Sequence, residues 1–158
     1  MDNFINTAKA LAEKEHATQQ YGTYPYMKHI NDVVANIKTV TNDVELIAAA
    51  YLHDIIEDTT VTYSDITQMF NTRIADLVWA VTGEGSSRTE QMASAIKKIA
   101  VTPGSELIKS ADRLANATAS KIENKMDLYQ RYKNEHINLA PVLGNNVLAQ
   151  QLLILFKE

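Results

Sequence analysis

The sequence holds no cysteine. Disulfides and thiolate metal ligands are therefore excluded, and any metal shell must come from imidazole, carboxylate or water. Proline (3) and glycine (5) are scarce among 158 residues, so helix breakers are few. No uninterrupted apolar run is long enough to span a bilayer. Positive charge is in deficit, with 15 Lys and Arg against 19 Asp and Glu and a net charge of -4. Electrostatic wrapping of nucleic acid needs a basic face, so nucleic acid is not an expected partner. One small phosphorylated ligand is compatible with that charge, provided an ion and a few Lys or Arg make it locally positive. The first residues, MDNFINTAKALAEKEH, begin with an acid and carry charge throughout, unlike a signal peptide. A cytoplasmic setting without membrane contact is expected.

What is present is helical periodicity. The length suits one domain over residues 1–158 with a real hydrophobic core. Alternating strand patterns are nearly absent. Residues 3–20 read as a first helix. Pro25 can open a second, with Ile30, Val33, Val34 and Ile37 on one side. Thr41 or Asn42 is expected to cap a third, DVELIAAAYLHDIIEDT, whose apolar residues cover most of its circumference. Ser64 would cap a short helix, and TRIADLVWAVT forms another. Residues 87–100 form the next, and Thr102 and Pro103 open a helix through SADRLANATAS. A helical tail, residues 121–158, breaks near APVLGNN. The expected class is an all-α orthogonal bundle.

One stretch carries chemistry that packing does not need. YLHDIIEDTT places His53, Asp54, Glu57 and Asp58 within six residues. On one continuous helix His53 lies over Glu57, and Asp54 over Glu57 and Asp58. Acids near a helix C-terminus oppose its dipole, and burying them unpaired costs several kcal/mol or so each. No Lys or Arg within the helix offsets them, whereas a divalent ion would. His29, in YPYMKHIND, and Asp112, in IKSADRLANATA, also sit in apolar surroundings. Structural readings stand beside the metal reading: a hydrogen-bonded His–Asp pair at a helix end, a core histidine, a buried partner for Arg113 or Lys109. Taken together, His29, His53, Asp54 and Asp112 form a two-nitrogen, two-oxygen set. Such a set suits manganese, iron, zinc or similar ions with positions left open for water.

These residues carry a resemblance. The order H…HD…D resembles the HD-domain phosphohydrolase superfamily. HATQ…PYMKHI, AAAYLHDIIEDTTVT, LVWAVT and TPGSELIKSADRLAN, spread over about residues 5–120, are similar to the alarmone hydrolases of the RelA/SpoT group. Single-domain small alarmone hydrolases are nearest in size. The resemblance implies an HD-type bundle with His29, His53, Asp54 and Asp112 on one divalent ion. That ion is typically Mn2+, with Zn2+, Co2+, Fe2+ and Ni2+ as alternatives. It implies Glu57 and Asp58 as the pair that handles the attacking water, and Asn116 as a nucleotide contact. The implied reaction removes the 3′-pyrophosphate of (p)ppGpp. The implied alternatives are the same chemistry on a nucleoside mono- or triphosphate or NADPH, or nucleotide binding without catalysis.

The sequence departs from the pattern in two places. Relatives usually carry Arg or Arg-Lys between HxxQ and PY to hold the nucleotide. Here that loop is QYGTY, with Gln20 or Tyr21 nearest. Ala119 stands where the family has a Thr, one turn after the Asn. Candidate cations for the phosphates are Lys28, Arg88, Lys109, Lys121, Lys125 and Arg131, each of which reads equally well as a solvated side chain. Tyr129 and Tyr132 can stack on a base or fill the core. His16 of HxxQ is expected to act from outside the ligand set. Asp32, one turn after His29, is expected to be a solvated acid, with orientation of the His29 ring as the alternative.

Overall fold

The computed structural model describes residues 2–158 and is built almost entirely of helices. In chain order these are α1 (Asp2–Glu15), α2 (Met27–Lys38), α3 (Val44–Tyr51), α4 (Ile55–Asp58), α5 (Tyr63–Met69), α6 (Thr72–Val81), α7 (Arg88–Ile99), α8 (Ser105–Ile122), α9 (Met126–Leu143) and α10 (Val147–Lys157). Between α1 and α2 lies an antiparallel hairpin of two-residue strands, β1 (Gln20–Tyr21) and β2 (Tyr24–Pro25). The first helix therefore stops five residues earlier than its periodicity predicts. Pro25 closes the hairpin and does not open α2. The hairpin turns through Gly22 at φ +61°, a conformation that favours glycine.

Two helices organise the bundle. Helix α3 packs against α1, α2 and α6, and α8 packs against α2, α6, α9 and α10. The alanine run explains the first grouping. Ala48, Ala49 and Ala50 are fully buried, as are Ala8 and Ala12 of α1, and such short side chains let helices approach closely. Ile30, Val33 and Ile37 of α2, with Ile108, Ala111 and Ala117 of α8, continue the same core.

The third predicted helix is two helices. The chain leaves α3 at Leu52 (φ -100°, ψ 2°) and turns again at Asp54 (φ -104°, ψ 1°) before α4. No glycine or proline marks this break. It is held by the His53 Nδ1–H, which donates to the Ala50 carbonyl at 2.8 Å. Glu57 and Asp58 thus belong to a different helix from the alanines, and His53 does not lie over Glu57 on one helical face.

Helix starts also differ in detail. Asp43, not Thr41 or Asn42, caps α3 by accepting from the Glu45 and Leu46 amides. Thr62, not Ser64, caps α5 in a reciprocal pair with Asp65. Helix α8 begins after Gly104 at φ +96°, where a Cβ would stand 3.2 Å from Leu46 and 3.3 Å from Leu77. Thr102 and Pro103 precede that start in a turn. Pro141 lies within α9, and the tail breaks at Gly144, inside the expected APVLGNN stretch. No helix among the described residues is long and apolar enough to cross a membrane.

Candidate functional site

Helix α2 brings His29, the α3–α4 turn brings His53 and Asp54, and α8 brings Asp112. The two imidazole Nε2 atoms face each other at 3.3 Å. His53 Nε2 lies 2.9 Å from Asp54 Oδ2 and 3.6 Å from Asp112 Oδ1. His29 Nε2 lies 3.1 Å from Asp112 Oδ1 and 3.6 Å from Asp54 Oδ2. Both histidines are 2% exposed, so these polar atoms converge away from water. Ligands about 2.1 Å from one ion stand about 3.0 Å apart in an octahedron and about 3.4 Å in a tetrahedron. The observed spacings bracket those values, and His29, His53 and Asp54 by themselves meet the spacing of a metal group. The residues therefore fit a divalent cation.

Neighbouring groups prepare the donors. Because a carbonyl only accepts, the bond to Ala50 places the His53 proton on Nδ1 and turns the Nε2 lone pair of the neutral ring toward the cluster. Tyr26 donates its hydroxyl to Asp54 Oδ2 at 2.6 Å. Burial and the Asp54 charge push the Tyr26 pKa far up, so it remains a donor. Asn116 Nδ2 donates to Asp112 Oδ1 at 3.0 Å, and Lys109 Nζ to Asp112 Oδ2 at 3.2 Å. Without an ion both imidazoles bind a proton more readily than a free histidine. Burial opposes a charged His29 and His53, but the Asp54 and Asp112 carboxylates outweigh it and raise both. Burial likewise opposes a charged Asp54 and Asp112, yet the two histidines draw Asp54, and Lys109 with the histidines draws Asp112, below the usual range.

The cluster opens onto a cavity of about 260 Å³. Glu57, Arg88, Lys109, Arg113, Asn116 and Tyr132 line it, together with Tyr21 and Tyr26. Glu57 Oε1 accepts the Gly83 amide. Although its residue reaches solvent, the protein crowding its carboxyl raises its pKa, the Gly83 bond opposes this, and Asp54 adds to it. Asp58 points elsewhere. It accepts from Gln19 Nε2 at 3.0 Å, and Gln19 Oε1 in turn meets His16 Nδ1 at 2.8 Å. The predicted acid pair is thus divided: Glu57 borders the cavity, and Asp58 ties α4 to the segment after α1.

The pattern that defines the HD domain matches residues 8–144. The chain belongs to the HD-domain family. Its HD domain is 36% identical over 118 residues to the guanosine-3′,5′-bis(diphosphate) 3′-pyrophosphohydrolase of Aquifex aeolicus, covering 71% of this chain but 17% of that protein. Over 127 residues it is 26% identical to the Drosophila melanogaster enzyme of the same name, MESH1, covering 78% of this chain and 71% of that one. In fold it matches a solved metazoan SpoT orthologue, with a TM-score of 0.84, 23% identity, and coverage of 98% and 94%. The chain spans less than a fifth of the length of the first curated relatives it matches.

The HD domain places the other expected residues unevenly. Asn116 and Lys109 lie on the cavity. Gln20 is exposed on the hairpin, away from the cavity lining, and its neighbour Tyr21 points in instead. Tyr21 stacks on the His29 ring (4.9 Å between centroids, 17° between planes) and donates to Asn116 Oδ1 at 2.7 Å. Lys28 does not line the cavity; it pairs with Asp32 at 2.8 Å. That pairing leaves Asp32 a partly exposed surface acid and not a support of the His29 ring, whose Nδ1 is buried without a partner among the described residues. Tyr129 is a core residue whose hydroxyl donates to the Leu155 carbonyl at 2.8 Å beside Phe156. Arg131 lines a separate groove between α7 and α9. Lys121 and Lys125 pair with Glu158 and Glu123. Sequence reasoning missed the roles of Tyr26 and Arg113. Tyr26 had a usable signal, since it stands one turn before His29. Arg113 had none, since it read as an ion-pair partner of Asp112.

Proposed function

We propose that this chain is a metal-dependent nucleotide pyrophosphohydrolase that releases pyrophosphate from the 3′ position of guanosine-3′,5′-bis(diphosphate). The observation that carries this reading is the convergence of two Nε2 atoms and two carboxylates at single-ion spacing, beside a cavity bordered by Glu57 and Asn116. The activity printed in the names of the Aquifex and Drosophila relatives supports the substrate. His29, His53, Asp54 and Asp112 would hold one divalent ion, Mn2+ first, with Zn2+, Co2+, Fe2+ or Ni2+ as alternatives. Such an ion, when bound, makes water acidic enough to react near neutral pH and neutralises charge on phosphate oxygens.

The side chains supply the rest. Glu57 is the carboxylate on the cavity, and its raised pKa matches a base that takes a proton from water. Asp58 holds the Gln19–His16 link and so fixes the far end of α4. Asn116 spends its oxygen on Tyr21 and one N–H on Asp112, which leaves one N–H for the nucleotide. Lys109, already on Asp112, sits where it can meet the phosphates nearest the ion.

Tyr21 favours a second reading. It occupies the place where relatives carry a cation, so the substrate can be a nucleoside mono- or triphosphate or NADPH instead. Incubating the Mn2+-loaded protein with ppGpp, GTP, dATP, AMP and NADPH separates the two. Pyrophosphate released from ppGpp supports the first, and turnover confined to another nucleotide supports the second. No turnover with Mn2+, Co2+ or Zn2+ refutes both. Asp54→Ala should lose the ion; unchanged metal content refutes the ligand assignment.

A further inference from the structure

Two arginines on the cavity share one carboxylate. Arg88, at the start of α7, has a side chain 51% exposed, whereas that of Arg113, beside Asp112 on α8, is 3% exposed. Both line the cavity. Glu135 of α9 meets both. Its Oε1 accepts Arg88 Nε at 3.1 Å and Nη2 at 2.9 Å, and its Oε2 lies 3.6 Å from Arg113 Nη1. Arg113 is locked further, since it donates Nη2 to the Tyr132 carbonyl at 3.3 Å and lies 4.7 Å from the centre of that ring. Arg88 is held by one edge only. Among the described residues its Nη1 makes no hydrogen bond. It also lines the α7–α9 groove, of about 580 Å³, and so stands where groove and cavity meet.

The charge count matters here. Were Glu135 paired with Arg88 alone, the pair would be neutral and would attract no anion. With Arg113 as a second cation the trio keeps one positive charge, and the exposed guanidinium presents it. A guanidinium already fixed by a carboxylate loses little freedom when it meets a phosphate. Lys109 does not compete for this role, because it is committed to Asp112 beside the ion site.

We propose that Glu135 is a positioning residue that holds Arg88 as the reader of the nucleotide's second anionic group, the one distant from the bond that breaks. This deepens the pyrophosphohydrolase reading and rests on it. A nucleotide phosphorylated at 3′ and 5′ gives one group to the ion, and the other is free to select the substrate at Arg88. Arg88 then sets affinity, and Glu135 acts only through it.

The test uses two ligands without a pyrophosphate to cleave, guanosine 3′-monophosphate and guanosine 3′,5′-bisphosphate. Their binding to the metal-loaded protein is measured by titration calorimetry. The native protein should prefer the bisphosphate. Arg88→Gln should reduce that preference about tenfold or more, the worth of a charged hydrogen bond, and leave the 3′-monophosphate within twofold. Arg88→Lys should restore part of it. Glu135→Gln should reduce the preference several-fold and add nothing in the Arg88→Gln background. Should Glu135→Gln unfold the bundle by stranding Arg113, Glu135→Asp withdraws the carboxylate and keeps its charge, with the same expectation. An unchanged preference in Arg88→Gln overturns the proposal. So does an additive Glu135 effect in the double variant, or an equal loss for both ligands. The outcomes separate from the parent reading. Arg88-dependent bisphosphate binding without ppGpp turnover would defeat the function and keep this inference. Turnover of ppGpp with a KM unmoved by Arg88→Gln would do the reverse.

Discussion

Replacing Tyr26 by Phe removes one hydroxyl and little else. The ring stays packed, 5.0 Å from His16 and 5.6 Å from His29 between centroids, so no cavity opens. What disappears is the 2.6 Å bond to Asp54 Oδ2, the same oxygen that stands 2.9 Å from His53 Nε2. A hydrogen bond to a charged group contributes about 1.5–3 kcal/mol. If that bond holds the carboxylate in its ligating orientation, its loss appears as metal affinity, and the same energy corresponds to about 10- to 100-fold. The expected phenotype is specific. Activity at limiting Mn2+ falls by that factor, excess Mn2+ restores kcat to within a few-fold, and the helical signal is unchanged. Metal titration of activity, with metal analysis after dialysis, reads this directly. An unchanged metal requirement, or a kcat loss that saturating Mn2+ does not rescue, refutes the assignment of Tyr26 as the support of a ligand.

Three further outcomes are expected. Glu57→Gln should lower kcat by about 10²–10⁴-fold, the usual range for a lost general base, with metal content unchanged; a kcat within threefold of native would remove Glu57 from that role. Chelation should lower the melting temperature by about 5–10 °C when the protein had been held near 100 times its metal Kd, since mass action then contributes about 2.7 kcal/mol, and added Mn2+ should reverse the drop. His136 is buried with both ring nitrogens unpaired, beside Phe156. Burial, and then the Arg113 charge, hold its pKa below normal. The unfolded chain takes this proton near pH 6.5 and the folded chain resists it, so stability falls as pH drops below that value. His136→Phe should flatten the acid limb of a melting curve measured from pH 7.5 to 5.5, and parallel curves would show that His136 is not its source.

The helices were legible because their signals are local. The 3.6-residue pattern of α2, with Ile30, Val33, Val34 and Ile37 buried, is visible in sequence and in structure alike. The candidate ligands were legible through residue type and order. The local shape of the site was not. Nothing in LHDI announces that a helix ends there, because the break is made by the His53 side chain on its own backbone and by tertiary packing. Tyr129 and Tyr132 illustrate a second limit. They stand three residues apart on α9, yet one fills the core and the other borders the cavity, and only the direction in which α9 packs decides between them. For cations the limit is different again. Charge is countable in sequence, but whether Lys28 is free or spent on Asp32 depends on rotamers.

The placement of Asp112 has a consequence for how the site is assembled. His29, His53 and Asp54 come from α2 and the α3–α4 turn, whereas Asp112 and Asn116 both come from α8, which packs against α2. The fourth donor and the asparagine beside it are therefore delivered together, by the seating of one helix. A substitution that loosens α8 against α2 would disturb the ion site and the nucleotide contact at once.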